Sequence, residues 1–430
     1  MVLGDMGHKS VLPCSDTAPN IKGRDKDYVV IGGTTEDLLT QGFQQVGASF
    51  PVFLHPETKD EYALARREIK TGDKHTDFSF EFTPDITLEE DALRRDFTIN
   101  ALYFDGENRK VLDPTERGIQ DCADKILRHV SDSFLEDPLR IMRCARLAAQ
   151  LGFKVAPETV NLIQHMVRMD MLAHLSRERI DNEFARAMSE RYDSALFLSY
   201  LHEWGALEVL YPELERLTEC TENPRYHWAG TTWGHMLTAL DSAHYQSARI
   251  KTALAYHDIY KPIAYKQKKE LGRHVAHDCT DALDYLQGYL SQRKFDGRTK
   301  TLCKLAVKYH MRMKMLFHGI SAKKWVDMIA SITSGFRTDY LWQLEDLLEV
   351  CKADDLSDKP QDCFGAFKSV GGKDRWATMH KCALQTFEVC STIQARTIDG
   401  YEDMEPDQLK AELRRLRTSA VKSQVDFFAS

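Results

Sequence analysis

Apolar residues fall in short, dense runs over the first third of the chain, and beyond about residue 134 they recur every three or four positions. The runs Asp27 to Ile31, Ser49 to Leu54, Tyr62 to Arg67 and Phe78 to Phe82 are rich in β-branched and aromatic residues and predict strands. One short helical pattern, Thr35 to Gln41, lies among them. Together they predict an α+β segment with a largely antiparallel sheet from residue 25 to about 130. The later pattern predicts helix after helix: Phe134 to Gln150, Pro157 to Met169, Arg177 to Ser189, and on to the end. Breaks rich in Pro and Gly lie at Glu219 to Gly234 and Lys359 to Gly372. Residues 1–23 carry no assignable pattern, and no internal repeat is present. The expected fold class is α+β, a head with a mostly antiparallel sheet followed by an all-α remainder.

Composition narrows the class. At 430 residues the chain exceeds one ordinary core, so several domains are expected. An apolar fraction of 43% and a charged fraction of 28% fit a globular protein. No apolar run approaches membrane-spanning length, and residues 1–30 lack the order of a signal peptide. Cytoplasm is the expected location, with no membrane partner. The ten cysteines form no Cys-x-x-Cys pair, which fits buried thiols in a reducing compartment. With a formal net charge of −8, the whole molecule does not attract a polyanion, so a nucleic-acid partner would need basic groups gathered locally.

Three stretches carry candidate chemistry. Asp25 and Asp27 are two apart at a strand entrance, so on a strand both carboxylates project from one face. Such a pair suits a divalent cation that activates a hydroxyl and neutralises a phosphate, and equally suits plain solvated charge. In Leu93 to Leu102, Arg94 and Arg95 offer forked donors to triphosphate oxygens. Asp96 can hold an arginine or a sugar hydroxyl, and Asn100 can donate to and accept from ribose or base. The same residues also read as a charged helix start with Asp96 as its cap. Glu136-Asp137-Pro138-Leu139-Arg140 opens the first long helix, where Asp137, Arg140, Arg143 and Arg146 recur every three residues. An accepting carboxylate beside a donating guanidinium complements the amino group and bare ring nitrogen of cytosine or adenine. It mismatches uracil and guanine. Salt bridges on a wet helix face are the simpler alternative.

Asp-x-Asp on a strand, Arg-Arg-Asp-x-x-x-Asn-Ala, the Asp113-Pro114 to Gly118 link and Glu-Asp-x-x-Arg before an all-helical region together resemble the class II tRNA nucleotidyltransferases. These are the CCA-adding enzymes, kin of bacterial poly(A) polymerases, and the likeness to the gammaproteobacterial type covers most of the chain. The resemblance implies a nucleotidyltransferase head over 1–130, a helical neck for base selection over 131–217, an HD phosphohydrolase-like domain over 218–358 and a tRNA-contacting helical tail over 359–430. It implies Mg²⁺ on Asp25 and Asp27, and a nucleotide-binding set of Arg95, Asp96, Asn100, Glu136, Asp137, Arg140, Arg143 and Arg146, with Asp137 and Arg140 templating the base. The implied reaction adds C, C and A to the 3′ end of tRNA from CTP and ATP by attack of the 3′-hydroxyl on the α-phosphate. Neither DNA nor a membrane is involved. Arg66 to Asp77 matches the segment by which the family switches from C to A addition. Where the family carries Gly-Gly-x-Val-Arg-Asp, this chain has Gly4-Asp5-Met6-Gly7-His8-Lys9. Two other readings remain, a poly(A) polymerase and a tRNA-binding phosphohydrolase whose transferase head has decayed.

His235, His257-Asp258 and Asp354 follow the order of the HD phosphohydrolases, whose two histidines and two aspartates bind a divalent metal. His274 and His277 are possible further ligands, and Tyr260 stands where that family usually has Gly. The resemblance implies Ni²⁺, Mn²⁺, Co²⁺ or Mg²⁺ there, with phosphatase and 2′,3′-cyclic phosphodiesterase activity. A histidine beside an aspartate is common in a chain with 16 histidines, and a core histidine is the alternative. Lys410, Arg414, Arg415, Arg417 and Lys422 on the last helical pattern read as a solvated face or an RNA-backbone contact.

Overall fold

The structure is a computed structural model that describes residues 10–13, 27–46, 52–70, 78–106, 108–190, 192–221, 230–272, 276–357 and 372–428. Asp25, the segment 4–9, residues 71–77 of the expected switch loop, and His274 lie outside them. The chain divides into two compact units, one reaching to Leu175 and taking in Glu203–Ala206, the other comprising Ser176–His202 and everything from Leu207 onward. The boundary falls inside the stretch 131–217.

The described residues of the first unit hold eleven strands: β1 (Ser10–Pro13), β2 (Asp27–Val30), β3 (Gln44–Val46), β4 (Val52–Leu54), β5 (Glu61–Leu64), β6 (Arg67–Lys70), β7 (Phe78–Glu81), β8 (Tyr103–Asp105), β9 (Lys110–Leu112), and the parallel pair β10 (Ile126–Leu127) and β11 (Lys154–Val155). Seven form one sheet in the order β3-β4-β5-β2-β1-β8-β9. All its pairs are antiparallel except β2 with β5, which run parallel with Asp27 opposite Glu61. Strand β6 pairs with β7 in a separate two-stranded sheet, so the run Tyr62 to Arg67 divides between two sheets at Ala65 and Arg66. Because neighbouring strand residues face opposite ways, Val29 and Val30 enter different cores. Val29 packs with Ala65, Ile86, Leu88, Ala92, Ala101 and Tyr103, and Val30 with Leu38, Phe43, Phe53 and Leu64.

Short helices close the sheet: α1 (Thr35–Thr40), α2 (Leu88–Leu93) and α3 (Gly118–Asp124). Capping boxes start the first two, Thr34 with Asp37 and Thr87 with Glu90. A Cβ at Gly118 would lie 2.6 Å from the Thr98 carbonyl oxygen, so α3 reaches the turn at Thr98 only because residue 118 has no side chain.

Two helices complete this unit, α4 (Leu139–Leu151) and α5 (Pro157–Arg168). The pattern predicted α4 from Phe134. Instead Asp132–Glu136 is a 3₁₀ turn, and Asp137, at φ −126° and ψ 98°, is extended. Proline disfavours helical backbone in the residue before it, so Pro138 delays the helix to Leu139.

The second unit is all-helical: α6 (Arg177–Ala187), α7 (Ser194–Glu203), α8 (Ala206–Leu210), α9 (Pro212–Glu215), α10 (Thr232–Ser242), α11 (Ala248–Tyr256), α12 (Lys261–Leu271), α13 (Thr280–Gln292), α14 (Gly297–Met313), α15 (Ala322–Ile332), α16 (Leu341–Ser357), α17 (Gly372–Thr392) and α18 (Pro406–Gln424). Helices α10, α11, α14 and α16 pack together, and α15, α17 and α18 form a second group. Buried Lys251 donates to the main-chain oxygens of Ser189 and Tyr192, each at 3.0 Å. No helix among the described residues is long and apolar enough to cross a membrane.

Two glycines make opposite predictions. Gly118→Ala should destabilise by about 1–3 kcal/mol through the clash with main chain. Gly288→Ala, inside α13 with nothing near its Cβ position, should stabilise by about 0.5–1 kcal/mol; urea midpoints measure both. Burial pushes the Lys251 ammonium down to about 8 from 10.5, against the pull of Asp193 and Glu190. Between those values the unfolded chain binds more protons than the folded one, so this group's contribution to stability rises with pH across that window. The urea midpoint of Lys251→Met should accordingly gain less over that window than that of the parent chain.

Candidate functional sites

Asp27 opens β2 and is exposed to solvent. Beyond the sheet, the short helix α2 presents Asp91 into the core with no exposed surface. Its carboxylate accepts from Arg94 Nε at 2.9 Å, Arg95 Nη2 at 3.2 Å and the Tyr103 hydroxyl at 2.9 Å. Arg95 Nε in turn donates to the Tyr103 oxygen at 2.9 Å. Burial pushes the Asp91 carboxyl up, but the two guanidinium charges prevail and hold it below the usual carboxylate range. The adjacent arginines are therefore anchored by their i+3 and i+4 spacing from Asp91.

The next residues join this segment to α4. Asp96 is buried, and its Oδ1 accepts from the Phe97 amide at 2.9 Å and Asn100 Nδ2 at 3.0 Å. Its Oδ2 accepts from Arg143 Nε at 2.9 Å and Nη2 at 2.6 Å. Burial again works against ionisation, and Arg143, Asn100 and Arg140 outweigh it. Arg140 donates through Nη1 to the Ser133 carbonyl at 2.8 Å and through Nη2 to the Arg94 carbonyl at 2.6 Å. Asp137 Oδ1 accepts from the Leu139 amide at 3.1 Å. Asn100, Glu136, Asp137, Arg140 and Arg143 are half-buried, whereas Arg146, one turn on, is buried. Both oxygens of Asp96 are engaged by protein donors, so its part is to set Arg143 and Asn100.

In the second unit, helices α10, α11, α14 and α16 and their ends bring His235, His257, Asp258, His310 and Asp354 together, and His277 joins them from the segment before α13. His235 Nε2 lies 2.9 Å from Asp354 Oδ1, and His257 Nε2 lies 3.4 Å from that atom and 3.1 Å from Asp258 Oδ2. His235, His257 and Asp354 form one group with metal-ligand spacing, and Asp258, His277 and His310 form another. The imidazoles are aimed by their other nitrogen: His257 Nδ1 meets the Leu254 carbonyl at 2.6 Å and His310 Nδ1 the Ala306 carbonyl at 2.8 Å. The Ser357 hydroxyl donates to the Asp354 carbonyl at 2.6 Å, leaving its oxygen to accept from His235 Nδ1 at 3.2 Å. Each Nε2 is thus aimed inward at the carboxylates, where it donates to them when protonated and could ligate a metal when not.

Electrostatics agree. Burial lowers His257, yet Asp258 and Asp354 prevail and raise it to about 10, the response of a group where cations are favoured. Burial pushes His277 down to about 4. His257 Nε2 and Asp258 Oδ1 are buried without a well-formed hydrogen bond, which fits a site built for an ion. Two ammonium groups flank it, Lys261 Nζ at 2.8 Å from Asp258 Oδ2 and Lys314 Nζ at 3.0 Å from Asp354 Oδ2.

The family described as "Poly A polymerase head domain" matches residues 35–128, and "Probable RNA and SrmB- binding site of polymerase A" matches residues 152–217. The Multifunctional CCA protein of Hahella chejuensis is 37% identical over 406 residues, 93% of this chain and 90% of that one. The chain belongs to the multifunctional CCA protein family. The Actinobacillus pleuropneumoniae member is 35% identical over 95% of this chain and 96% of its own length. The fold is that of solved CCA-adding enzymes. A Bacillus stearothermophilus enzyme in complex with CTP aligns at TM-score 0.59 and 18% identity, covering 98% of this chain and 90% of that one. A Thermotoga maritima enzyme complexed with tRNA aligns at TM-score 0.58 and 13% identity, covering 97% and 87%.

Within this family member, the structure brings Arg95, Asp96, Asn100, Arg140 and Arg143 into one connected network, while Asp25 lies outside the described residues. His235, His257, Asp258 and Asp354 converge, and His277 joins them. Sequence reasoning missed Asp91, His310, Lys261 and Lys314; the spacing of Asp91 from Arg94 and Arg95 was the one available signal. On α18, Arg414 pairs with Asp327 and Arg415 with Glu412, and Arg417 donates to the Ile393 carbonyl at 2.8 Å. Three of the five basic groups thus already serve protein contacts.

Asp91→Ala removes the shared anchor of two arginines and should destabilise the chain by about 3 kcal/mol. Asp85→Ala, which loses exposed contacts to Thr83 and to Arg67 at 3.9 Å, should shift the urea midpoint far less.

Proposed function

We propose that this chain adds C, C and A to the 3′ end of tRNA from CTP and ATP without a nucleic-acid template, with Asp137 and Arg140 reading the base. The observation that carries this reading is the anchoring of Arg140 on the Ser133 and Arg94 carbonyls. It fixes the guanidinium of a residue three positions after Asp137, on the helix that Asp96 ties to the Arg94–Asn100 segment through Arg143. The carboxylate accepts from the exocyclic amine of cytosine or adenine, and the guanidinium donates to the adjacent ring nitrogen. Uracil and guanine would leave both groups without a partner, a mismatch worth about 1–3 kcal/mol.

Enzymes of this family depend on a divalent metal. Here we assign Mg²⁺, held by Asp27 with Asp25; such an ion neutralises the triphosphate and favours ionisation of the attacking hydroxyl. Arg95 and Arg143 take triphosphate oxygens with the donors left over from Asp91 and Asp96, and Asn100 orients the sugar. The remaining work is positioning. The tRNA is the acceptor, and its contacts fall to the helical tail.

A second, hydrolytic activity toward phosphomonoesters and 2′,3′-cyclic phosphates is favoured by the His/Asp cluster of the second unit. His235, His257, Asp258 and Asp354 would hold a divalent cation of the Ni²⁺, Mn²⁺ or Co²⁺ type, which imidazole-rich sets favour over Mg²⁺. A bound ion of that kind lowers the pKa of water. Lys261 and Lys314 stand ready to bind phosphate oxygens.

Incorporation on tRNA lacking its CCA end tests the first reading. CTP and ATP should be used and UTP and GTP refused. Asp27→Ala should abolish addition, and Arg140→Ala should lower kcat/KM for CTP and ATP by about 10–100-fold while narrowing the gap to UTP. Long tails from ATP alone would mean a poly(A) polymerase. Equal activity in the parent and Asp27→Ala, with cyclic-phosphate hydrolysis intact, would mean a decayed head.

A further inference from the structure

We propose that Tyr103 is a positioning residue for the incoming nucleotide: its hydroxyl fixes Arg95 so that the free edge of that guanidinium meets the triphosphate above the face of the sheet that carries Asp27. The inference rests on the reading of Arg95 as a triphosphate contact, and gives a role to a tyrosine that this reading does not use. Nothing in the sequence sets Tyr103 apart from an ordinary core aromatic. It is fully buried in the head, and a buried phenol needs partners for its oxygen.

The register of the sheet places the tyrosine. Strand β1 pairs with β8 so that Pro13 stands opposite Tyr103, and with β2 so that Ser10 stands opposite Val30 and Val11 opposite Val29. Two further steps of that antiparallel register bring Pro13 opposite Asp27. Asp27 and Tyr103 therefore share one row, two strands apart in the order β2-β1-β8, a separation of roughly 10 Å. Residues directly opposite in antiparallel pairs project from the same face, so the carboxylate and the phenol rise from one side of the sheet. Val29, which shares that side with Asp27, packs in one core with Tyr103. The row is a direction in which the phosphates of a nucleotide can run between Asp27 and the arginine that Tyr103 holds.

The chemistry of the three partners fixes what the hydroxyl does. A phenol has one proton, a guanidinium only donates and an ionised carboxylate only accepts. The Tyr103 proton therefore goes to Asp91 Oδ2 at 2.9 Å, and its oxygen receives Arg95 Nε at 2.9 Å. Arg95 Nη2 is tied to the same Asp91 oxygen at 3.2 Å, and its guanidinium carbon stands 5.0 Å from the centroid of the Tyr103 ring. Three contacts thus set the guanidinium plane, and two of them belong to Tyr103. Arg95 Nη1 makes no hydrogen bond among the described residues, and the side chain is partly exposed. Without the hydroxyl, Nε would fall back on Asp91 Oδ2, 3.4 Å away. Two nitrogens on a single oxygen leave the plane free to pivot about it. Because every nucleotide carries the same triphosphate, Tyr103 acts on affinity and leaves the choice of base alone.

Tyr103→Phe keeps the ring and deletes the hydroxyl. In the full-length chain with Mg²⁺ and tRNA lacking its CCA end, KM should rise about 10-fold for CTP and by the same factor for ATP. The changes in kcat, in KM for tRNA and in the preference for CTP over UTP should be far smaller. Calorimetric titration with tripolyphosphate, which has no base, should show the same weakening. The double variant Arg95→Ala/Tyr103→Phe should bind tripolyphosphate no worse than Arg95→Ala, since the hydroxyl acts through that guanidinium. Equal affinities in the parent and Tyr103→Phe, or losses that add in the double variant, would overturn the proposal. So would a fall in kcat and urea midpoint with nucleotide affinity unchanged, or a Tyr103→Phe chain that circular dichroism shows unfolded, since either marks the hydroxyl as structural. A parent that adds neither C nor A, yet binds tripolyphosphate in a Tyr103-dependent way, would sink the transferase reading and leave the positioning role standing. A parent that binds no tripolyphosphate would sink both.

Discussion

The ion pair between Asp96 and Arg143 is the contact on which the head's chemistry depends. A buried carboxylate is expensive unless its oxygens are filled, and Asp96 fills them with a main-chain amide, an asparagine amide and two guanidinium nitrogens. One side chain thereby fixes the loop after α2, the position of Asn100 and the rotation of α4. Hydroxyls of Ser131 and Ser133 reinforce the joint by donating to the Leu93 carbonyl at 2.7 and 2.9 Å. A helix pinned at so many points cannot roll, and the residues it aims inherit that rigidity.

The two sites reach the same end by different means. In the head, arginines are held by buried carboxylates and main-chain oxygens. In the helical unit, each of three imidazoles spends Nδ1 on a carbonyl or on Ser357, and Nε2 is aimed at the buried carboxylates. In both, a functional atom is placed by committing its neighbours on the same side chain. This keeps charged and polar groups satisfied in a buried setting while leaving one direction open for the ligand.

Much of this was readable in the chain. The apolar runs gave four strands of the head, β2, β4, β5 and β7, to within a few residues, because half-buried strands must alternate or cluster their side chains. Helix boundaries followed proline and the capping residues, although Pro138 displaced the start of α4 by extending Asp137. Strands β1, β3, β8 and β9 were missed, and β6 was reached only at Arg67, since three- and four-residue strands take their identity from their neighbours in the sheet. In the sites, short spacings were legible: Arg94-Arg95-Asp96, Asn100, and His257-Asp258. Long-range placements were not. His310 lies on α14, more than fifty residues beyond the His-Asp pair, and only the packing of α14 against α11 brings it to Asp258. Asp91 is an acid on a short helix whose depth in the core is set by the sheet beneath it. Arg140 gave no hint that its partners would be main-chain oxygens, since a carbonyl belongs to every residue alike.

That last property has an evolutionary consequence. Because Arg140 hangs from the carbonyls of residues 94 and 133, substitutions of those two side chains leave the acceptors it needs in place. The positions that supply those carbonyls are thus free to drift with respect to the guanidinium, and a lineage can rework the surface beside Arg140 without moving it.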